Sequence, residues 1–224
     1  MKSSKTVVVV PAYNEQEKIF EIVKKIKRFA DKIIVVDDGS ADKTAEFAKN
    51  AGAHVISYRK NKGKGYALRL GFKKAFKSNP SVVITLDADG QHRPEEIPEF
   101  INALKNCDMV VGSRFLGKIR TSKTNIFGNI GLRFGVNLLS FGLNSEKWLT
   151  DTESGYRAYR TSALKKLNLK GERFEIEAEI VLEAARKKLK IKEVPITVPY
   201  KVKGVTVLDG LKNGFYVFSR WLVG

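Results

Sequence analysis

Residues 82–96 read VVITLDADGQHRPEE. Four β-branched residues and Leu86 run straight into two carboxylates, Asp87 and Asp89, with only Ala88 between them. The apolar run has the length of a buried strand, and it delivers both carboxylates at its carboxyl end. Unpaired there, they would repel each other and gain nothing from a core, so something cationic is expected beside them. Two carboxylates at i and i+2 beyond a strand suit a hard divalent ion, Mg²⁺ or Mn²⁺, which keeps waters and completes its shell with substrate phosphates.

The same pattern recurs on both sides of this stretch. TVVVVPAY (6–13), KIIVVDDGS (32–40), HVISY (54–58) and CDMVVGSRF (107–115) read as strands, and amphipathic helical segments separate them. In the first of those segments, Ile19, Ile22, Val23 and Ile26 fall at helical spacing. This alternation predicts a mainly parallel sheet covered by helices on both faces. Ligands of such sheets bind beyond the carboxyl ends of the strands. Tyr13, Asn14 and Glu15, the acidic pair of VVDD, the DAD triplet, and Ser113 with Arg114 therefore converge on one polar cleft.

The chain has 224 residues, enough for one domain with a substantial core. Lys and Arg number 41 against 24 Asp and Glu, a formal charge of +17, which asks for an anionic partner. The lysines are scattered over several helices, and carboxylates stand at several strand ends. That distribution argues against nucleic acid. The single cysteine, Cys107, excludes an internal disulfide and reads as a core residue. His54 and His92 lack a second histidine at ligand spacing and read as structural or supporting. No apolar run is long enough to span a membrane. NKGKGYALRLG (61–71) is neither a Walker loop nor a dinucleotide fingerprint, because Leu68 stands where the third glycine would be. What remains is a glycine-rich helix start whose Lys62 and Lys64 could neutralise an anion.

Beyond Arg114 the pattern changes. Asn125, Asn129, Arg133 and Asn137 are spaced by four and Ser140 shares their sector, so 125–141 reads as a helix with a narrow polar stripe and a broad apolar face. After it come TDTESGYRAYR, a charged helix around FEIEAEIVLEAARKK, a strand in KIKEVPITVPYK and a final amphipathic segment.

Taken in order, VVVVPAYNE, VVDDGS, GKGYALRLG, DADGQHRPEE, GSRF, DTESGYRAY and FEIEAEI…KIKEVPI resemble the family 2 glycosyltransferases of the GT-A fold, and most of all the polyprenyl- and dolichyl-phosphate mannose and glucose synthases. The resemblance spans nearly the whole chain. It implies one Rossmann-like GT-A domain over 1–224, with a nucleotide-sugar half (1–114) and an acceptor half (115–224). It implies inverting transfer of a hexose from a GDP- or UDP-sugar to a polyprenyl phosphate. By it, Pro11, Tyr13, Glu15, Val36 and Asp38 hold base and ribose; Asp87, Ala88 and Asp89 line the nucleotide; Asp87, Asp89 and Gln91 face the metal, with Asp89 and Gln91 as ligands; and Arg114 and Lys201 contact phosphates. Lys64 joins this donor set as an anion-neutralising group. Asp151 falls where the family keeps an acidic residue near the reacting centre. Lys201 stands where relatives often carry Arg, which leaves the donor base open.

The acceptor follows from chemistry. A sugar hydroxyl needs a general base, whereas a phosphate monoester with a second pKa of about 6 is already anionic and needs cations. Arg114 and Arg133 supply them, and the apolar face of 125–141 suits lipid. The expectation is a peripheral enzyme on the cytoplasmic face of an anionic membrane, with room for a separate membrane-anchoring subunit. The alternative is a family 2 enzyme acting on a glycan or small-molecule hydroxyl.

Overall fold

The first strand, β1 (Thr6–Ala12), is buried at every position, as its unbroken run of valines requires. Around it a computed structural model describes residues 5–117, 135–138, 140, 148–198, 215–216, 218–219 and 221–222. The elements that follow are α1 (Ile19–Ile26), β2 (Lys32–Asp37), α2 (Thr44–Asn50), β3 (His54–Ser57), α3 (Lys64–Phe76), β4 (Val82–Thr85), α4 (Ile97–Ala103), β5 (Met109–Ser113), β6 (Arg157–Arg160), α5 (Thr161–Leu164), α6 (Ile176–Arg186) and β7 (Ile191–Pro195).

The strands form one sheet in the order β3-β2-β1-β4-β6-β5-β7. All pairings are parallel except those of β6, which runs antiparallel between β4 and β5. The chain leaves β1 toward β2 on one side and returns from β3 to β4 on the other. The carboxyl ends of β1 and β4 therefore flank a reversal of strand order, the place where open α/β sheets bind ligands. Pro11 marks the opening. The β1–β4 ladder ends at Val9↔Thr85, so Pro11 lies where β1 no longer needs a donor toward β4.

Apolar side chains cover both faces. Ile19, Ile22, Val23 and Ile26 of α1 pack on one side together with Ile97 and Phe100 of α4. On the other, α3 and α6 supply Ala67, Leu68, Phe72, Ile176, Ile180 and Ala184. Residues 176–185 are all buried, including Glu177, Glu179 and Glu183. This departs from the solvated helix that its charges suggest. Glu179 accepts N–H bonds from Lys170 (3.0 Å) and Gly171 (2.8 Å), and Glu183 accepts one from Asn168, so these carboxylates hold the preceding loop. Cys107 is buried, as expected.

The sequence marks 125–141 as a two-faced helix, and in its described part the polar stripe faces inward. Asn137 and Ser140 are buried while Leu138 is 53% exposed. Asn137 exchanges two hydrogen bonds with the backbone of Leu149, Leu149 N–H to Oδ1 at 2.7 Å and Nδ2 to Leu149 O at 2.9 Å. Val136 joins Leu149, Ala178, Val181 and Leu182 in a small core of its own. The rest of this segment lies outside the described residues.

Helix α3 reaches the sheet through Gly71, where an added Cβ would overlap Val9 Cγ1 and press Val36 Cγ2 at 3.3 Å. A helix-interior glycine exchanged for alanine ordinarily gains up to about 1 kcal/mol. Here Gly71→Ala is expected to lose about 1–3 kcal/mol through overpacking. Urea unfolding reads the sign.

Candidate functional site

Asp87 does have a cation beside it, and it comes from the chain. Lys64 Nζ lies 2.7 Å from Asp87 Oδ1 and 2.8 Å from Glu177 Oε1. Glu177 in turn faces Arg157, Nη2 to Oε2 at 3.2 Å, and its carbonyl accepts Arg157 Nη1 at 2.8 Å. The first residue of α3, the end of β4, the start of α6 and the start of β6 are thus joined by alternating buried charges that sum to zero. Burial alone would depress the Lys64 ammonium, but Asp87 and Glu177 outweigh it and hold its pKa above the ordinary value. Burial pushes the Asp87 carboxyl up, yet Lys64 chiefly, with His92, brings it below the usual range. Gly155 makes room for the pair. A Cβ there would stand 2.5 Å from Asp87 Oδ2 and 2.6 Å from Lys64 Nζ.

Across β6, Arg114 and Asp151 form a second neutral unit. The guanidinium grips the carboxylate in a fork, Nε to Oδ2 at 2.6 Å and Nη2 to Oδ1 at 2.8 Å, and the Arg114 N–H adds a bond at 3.1 Å. Burial raises the Asp151 carboxyl, but Arg114 overcomes this and holds it low. Glu193 of β7 fixes the approach, accepting N–H bonds from Thr150 and Asp151, both at 2.9 Å. Residues 151–156 then enter β6, and every side chain in this stretch is buried except that of Glu153. Burial pushes the Glu153 carboxyl up to about 7, with Asp151 and Glu177 adding to the rise and Arg114 and Arg157 opposing it.

On the β1 side, backbone loops are stitched together. Asn14, at φ 55°, donates its N–H to Ser40 Oγ (2.9 Å), and its Oδ1 accepts the Ala41 N–H (2.9 Å). The Glu15 N–H reaches Thr44 Oγ1 at 2.8 Å. This lock presents Tyr13, 49% exposed, and Glu15, whose carboxyl burial raises, at the end of β1. Pro11, Val36 and Ala88 are buried beneath them. Asp38 is buried and well supplied with donors: Tyr58 Oη at 2.8 Å and Lys62 N–H at 2.7 Å on Oδ1, Gly63 N–H at 2.8 Å on Oδ2.

The glycine-rich start of α3 serves packing. A Cβ on Gly63 would collide with the carbonyl of Glu172, and one on Gly65 with that of Gly171; the Tyr66 N–H donates to Glu172 O at 3.0 Å. The Tyr66 amide of the helix's first turn is thereby occupied. Lys64, expected to meet an anion, has its ammonium between two carboxylates.

Asp89 is placed differently from Asp87. Its Oδ1 accepts the Gln91 N–H at 3.0 Å, its carbonyl accepts Lys18 Nζ at 2.9 Å, and its Oδ2 has no partner among the described residues. No three Asp, Glu, His or Cys side chains among the described residues form a ready-made metal cage. A carboxylate oxygen beside the Gln91 amide nevertheless fits a hard divalent ion that takes its remaining ligands from water and phosphate. His92 is buried and supports the turn, accepting the Asp87 N–H on Nδ1 at 3.1 Å. Arg133 and Lys201 lie outside the described residues.

The structure therefore brings Tyr13, Glu15, Asp38, Asp87, Asp89, Gln91, Arg114 and Asp151 to one edge of the sheet. Sequence reasoning missed Glu177, Arg157 and Glu153. Glu177 could have been suspected from its position in a helix whose neighbours Ile176, Ala178 and Ile180 are apolar all round. Nothing local singles out Glu153.

Comparison with known proteins identifies the family. Residues 7–167 match the family described as Glycosyl transferase family 2, and the chain belongs to it. It is 34% identical to UDP-N-acetylglucosamine--dolichyl-phosphate N-acetylglucosaminyltransferase of Methanococcus voltae, over 96% of this chain and 94% of that one. It is 31% identical to polyprenol monophosphomannose synthase of Mycolicibacterium smegmatis, over 98% and 87%. In fold it is similar to glucosyl-3-phosphoglycerate synthase of Mycobacterium tuberculosis, crystallised with Mn²⁺ and UDP-glucose: the TM-score is 0.72 at 22% identity, covering 98% of this chain and 78% of that one. The fold is GT-A, and the protein is a glycosyltransferase with polyprenyl- and dolichyl-phosphate sugar transferases among its relatives.

Removing the central cation tests the buried network. Lys64→Met strands the buried Asp87 carboxylate and leaves Glu177 with Arg157 alone, and is expected to cost about 3–5 kcal/mol at neutral pH. In the native protein Asp87 is held low, so its stabilising contribution is complete above about pH 4 and fades as pH falls through its folded value. Without Lys64, burial is left to raise the Asp87 carboxyl, so the variant should gain stability relative to wild type on acidification from pH 7 to 5. Urea midpoints at the two pH values check this.

Proposed function

We propose that the chain transfers a hexose, with inversion, from a GDP- or UDP-sugar to a polyprenyl phosphate at a membrane surface. The observation that carries the acceptor half is the inward-facing polar stripe beside the site: Asn137 and Ser140 buried, Leu138 and Trp148 about half exposed. A helical segment with the Asn137 amide and the Ser140 hydroxyl inward and Leu138 outward suits an apolar environment. The names of the relatives, dolichyl-phosphate and polyprenol sugar transferases, support the same acceptor.

In this reading Tyr13, Glu15 and the backbone at Pro11, Val36 and Ala88 hold the base and ribose, and Asp38 fixes the 62–63 turn beside them. Asp89 and Gln91 hold Mg²⁺ or Mn²⁺, which as a Lewis acid would neutralise the departing diphosphate. Asp87, pinned by Lys64, orients the DAD turn. Asp151 aligns Arg114, whose Nη1 has no partner among the described residues and is left for a phosphate. Lys201 serves the donor phosphates, and Arg133, four residues before Asn137 in sequence, serves the acceptor phosphate. A dianionic phosphate is nucleophilic without a base. No helix among the described residues is long and apolar enough to cross a membrane. Peripheral binding through the apolar face, plus attraction of a +17 chain to anionic lipid on the cytoplasmic leaflet, takes its place in this reading.

Incubation with GDP- and UDP-hexoses, Mn²⁺ and a short polyprenyl phosphate should yield the glycosyl phospholipid. EDTA should abolish transfer, and Asp89→Asn should lower kcat at least about a hundredfold, or some 3 kcal/mol of barrier. Full activity in EDTA contradicts the metal assignment.

Membrane binding has two separable parts. Exposed charges are screened within about 8 Å at physiological ionic strength, so high salt should release part of the protein from anionic liposomes. The salt-resistant remainder should fall in Leu138→Asp without loss of the circular-dichroism melt, since this leucine is exposed. A folded variant that still binds in high salt assigns the apolar contact elsewhere.

A further inference from the structure

Two internally neutral ion-pair systems line the carboxyl edge of the sheet around β6, and between them stands a carboxyl that neither uses. Glu153 follows Asp151 and precedes Gly155, which touches the Asp87–Lys64 pair. Its N–H is tied to Asp151 Oδ1 at 3.3 Å, but its side chain has no hydrogen bond or ion pair among the described residues. It is also the residue of 151–156 that reaches solvent. The charges that act on its carboxyl are those of Arg114 from the end of β5, Asp151 from its own loop, Glu177 from α6 and Arg157 from β6.

Arg114 is where this matters. The fork to Asp151 occupies its Nε and Nη2, so an anion docking on Arg114 must come to the remaining nitrogen, in a wall that also holds Glu153. An ionised carboxylate there opposes a phosphate dianion in a poorly solvated site, where like charges interact strongly. A protonated carboxyl instead offers an O–H donor to a phosphate oxygen.

We propose that Glu153 is an acceptor-binding residue that admits the phosphate only when protonated: as the acid it donates a hydrogen bond to the anion held by Arg114, and as the carboxylate it repels it. The inference rests on the lipid-phosphate reading of the acceptor. Glu153 keeps its proton through transfer. A phosphate oxygen bonds to the anomeric carbon, the bond from that carbon to the donor diphosphate breaks, and no proton has to move. Of the groups around it, Asp87 and Asp151 are held low, Lys64 and Arg114 high, and His92 is pushed down by burial, so these keep their charge between pH 7 and 8.5. The acceptor's own second ionisation, with a pKa of about 6, is complete in that window. Glu153, pushed up to about 7, is the group that changes there.

The test uses the full chain with Mn²⁺, saturating nucleotide sugar and farnesyl phosphate as acceptor. KM for farnesyl phosphate should rise by about an order of magnitude from pH 7 to 8.5, as the protonated fraction falls. Glu153→Gln, a neutral donor of the same shape, should flatten this rise and give a KM below that of wild type at pH 8.5. Calorimetry in two buffers at pH 8 should show proton uptake when wild type binds farnesyl phosphate, and this measurement needs no variant. A wild-type KM that is flat across the window, or binding without proton uptake, overturns the proposal while leaving the acceptor reading intact. A rate that increases with pH and collapses in Glu153→Gln overturns it in favour of a base acting on a hydroxyl. Absence of transfer to farnesyl phosphate at every pH, with transfer to a hydroxyl acceptor, overturns the acceptor reading and the proposal with it.

Discussion

A single buried ammonium, Lys64, organises the site. It lies under 3 Å from both Asp87 and Glu177, and through Glu177 it reaches Arg157. Each of these charges comes from a different element, and each would be costly to bury without the others. Their mutual satisfaction fixes how α3, β4, α6 and β6 meet at the carboxyl edge of the sheet. It also divides labour within the DAD triplet. Asp87 is committed to the protein and Asp89 Oδ2 is left over, so one carboxylate positions the turn and the other is available to a ligand.

Close backbone approach makes that arrangement sterically feasible. Gly155 lets the 151–156 stretch pass against the Asp87–Lys64 pair, and Gly63 and Gly65 let α3 begin against the carbonyls of residues 171–172. The two ion-pair systems in the wall so formed are each neutral. Asp151 has no freedom to act independently, because both its oxygens are on Arg114. In the proposed function its part is to aim the guanidinium. Against this background, the groups with spare capacity among the described residues are Asp89, Glu15, the outer face of Arg114, and Glu153.

The doubly wound half was legible in the sequence because parallel strands buried on both faces must be continuous apolar runs, and β1, β2, β4 and β5 are. Placing ligand-facing residues at their carboxyl ends then needed only the topology rule. The resemblance to family 2 glycosyltransferases rested on the same motifs. What could not be read were long-range partnerships. Nothing in RAYR says that it inserts antiparallel between β4 and β5. Three glutamates in α6 look solvated until their partners, Lys64, Gly171 and Asn168, are known to lie opposite. The glycines of GKG suggested an anion cradle, but the neighbour they make room for lies about a hundred residues on, in a loop that local pattern does not reveal. Asn137 and Ser140 were read as a polar stripe, yet which way the stripe faces depends on the Leu149 backbone.

The central claim is that Lys64 belongs to the protein and Asp89 to the ligand. Anomalous diffraction from crystals grown with Mn²⁺ and GDP or UDP tests it directly. The account predicts a manganese peak within coordination distance of the Asp89 carboxylate, with Lys64 Nζ still bonded to Asp87 and Glu177. A structure in which Lys64 has left both carboxylates for the diphosphate, with Asp89 away from the metal, would contradict it.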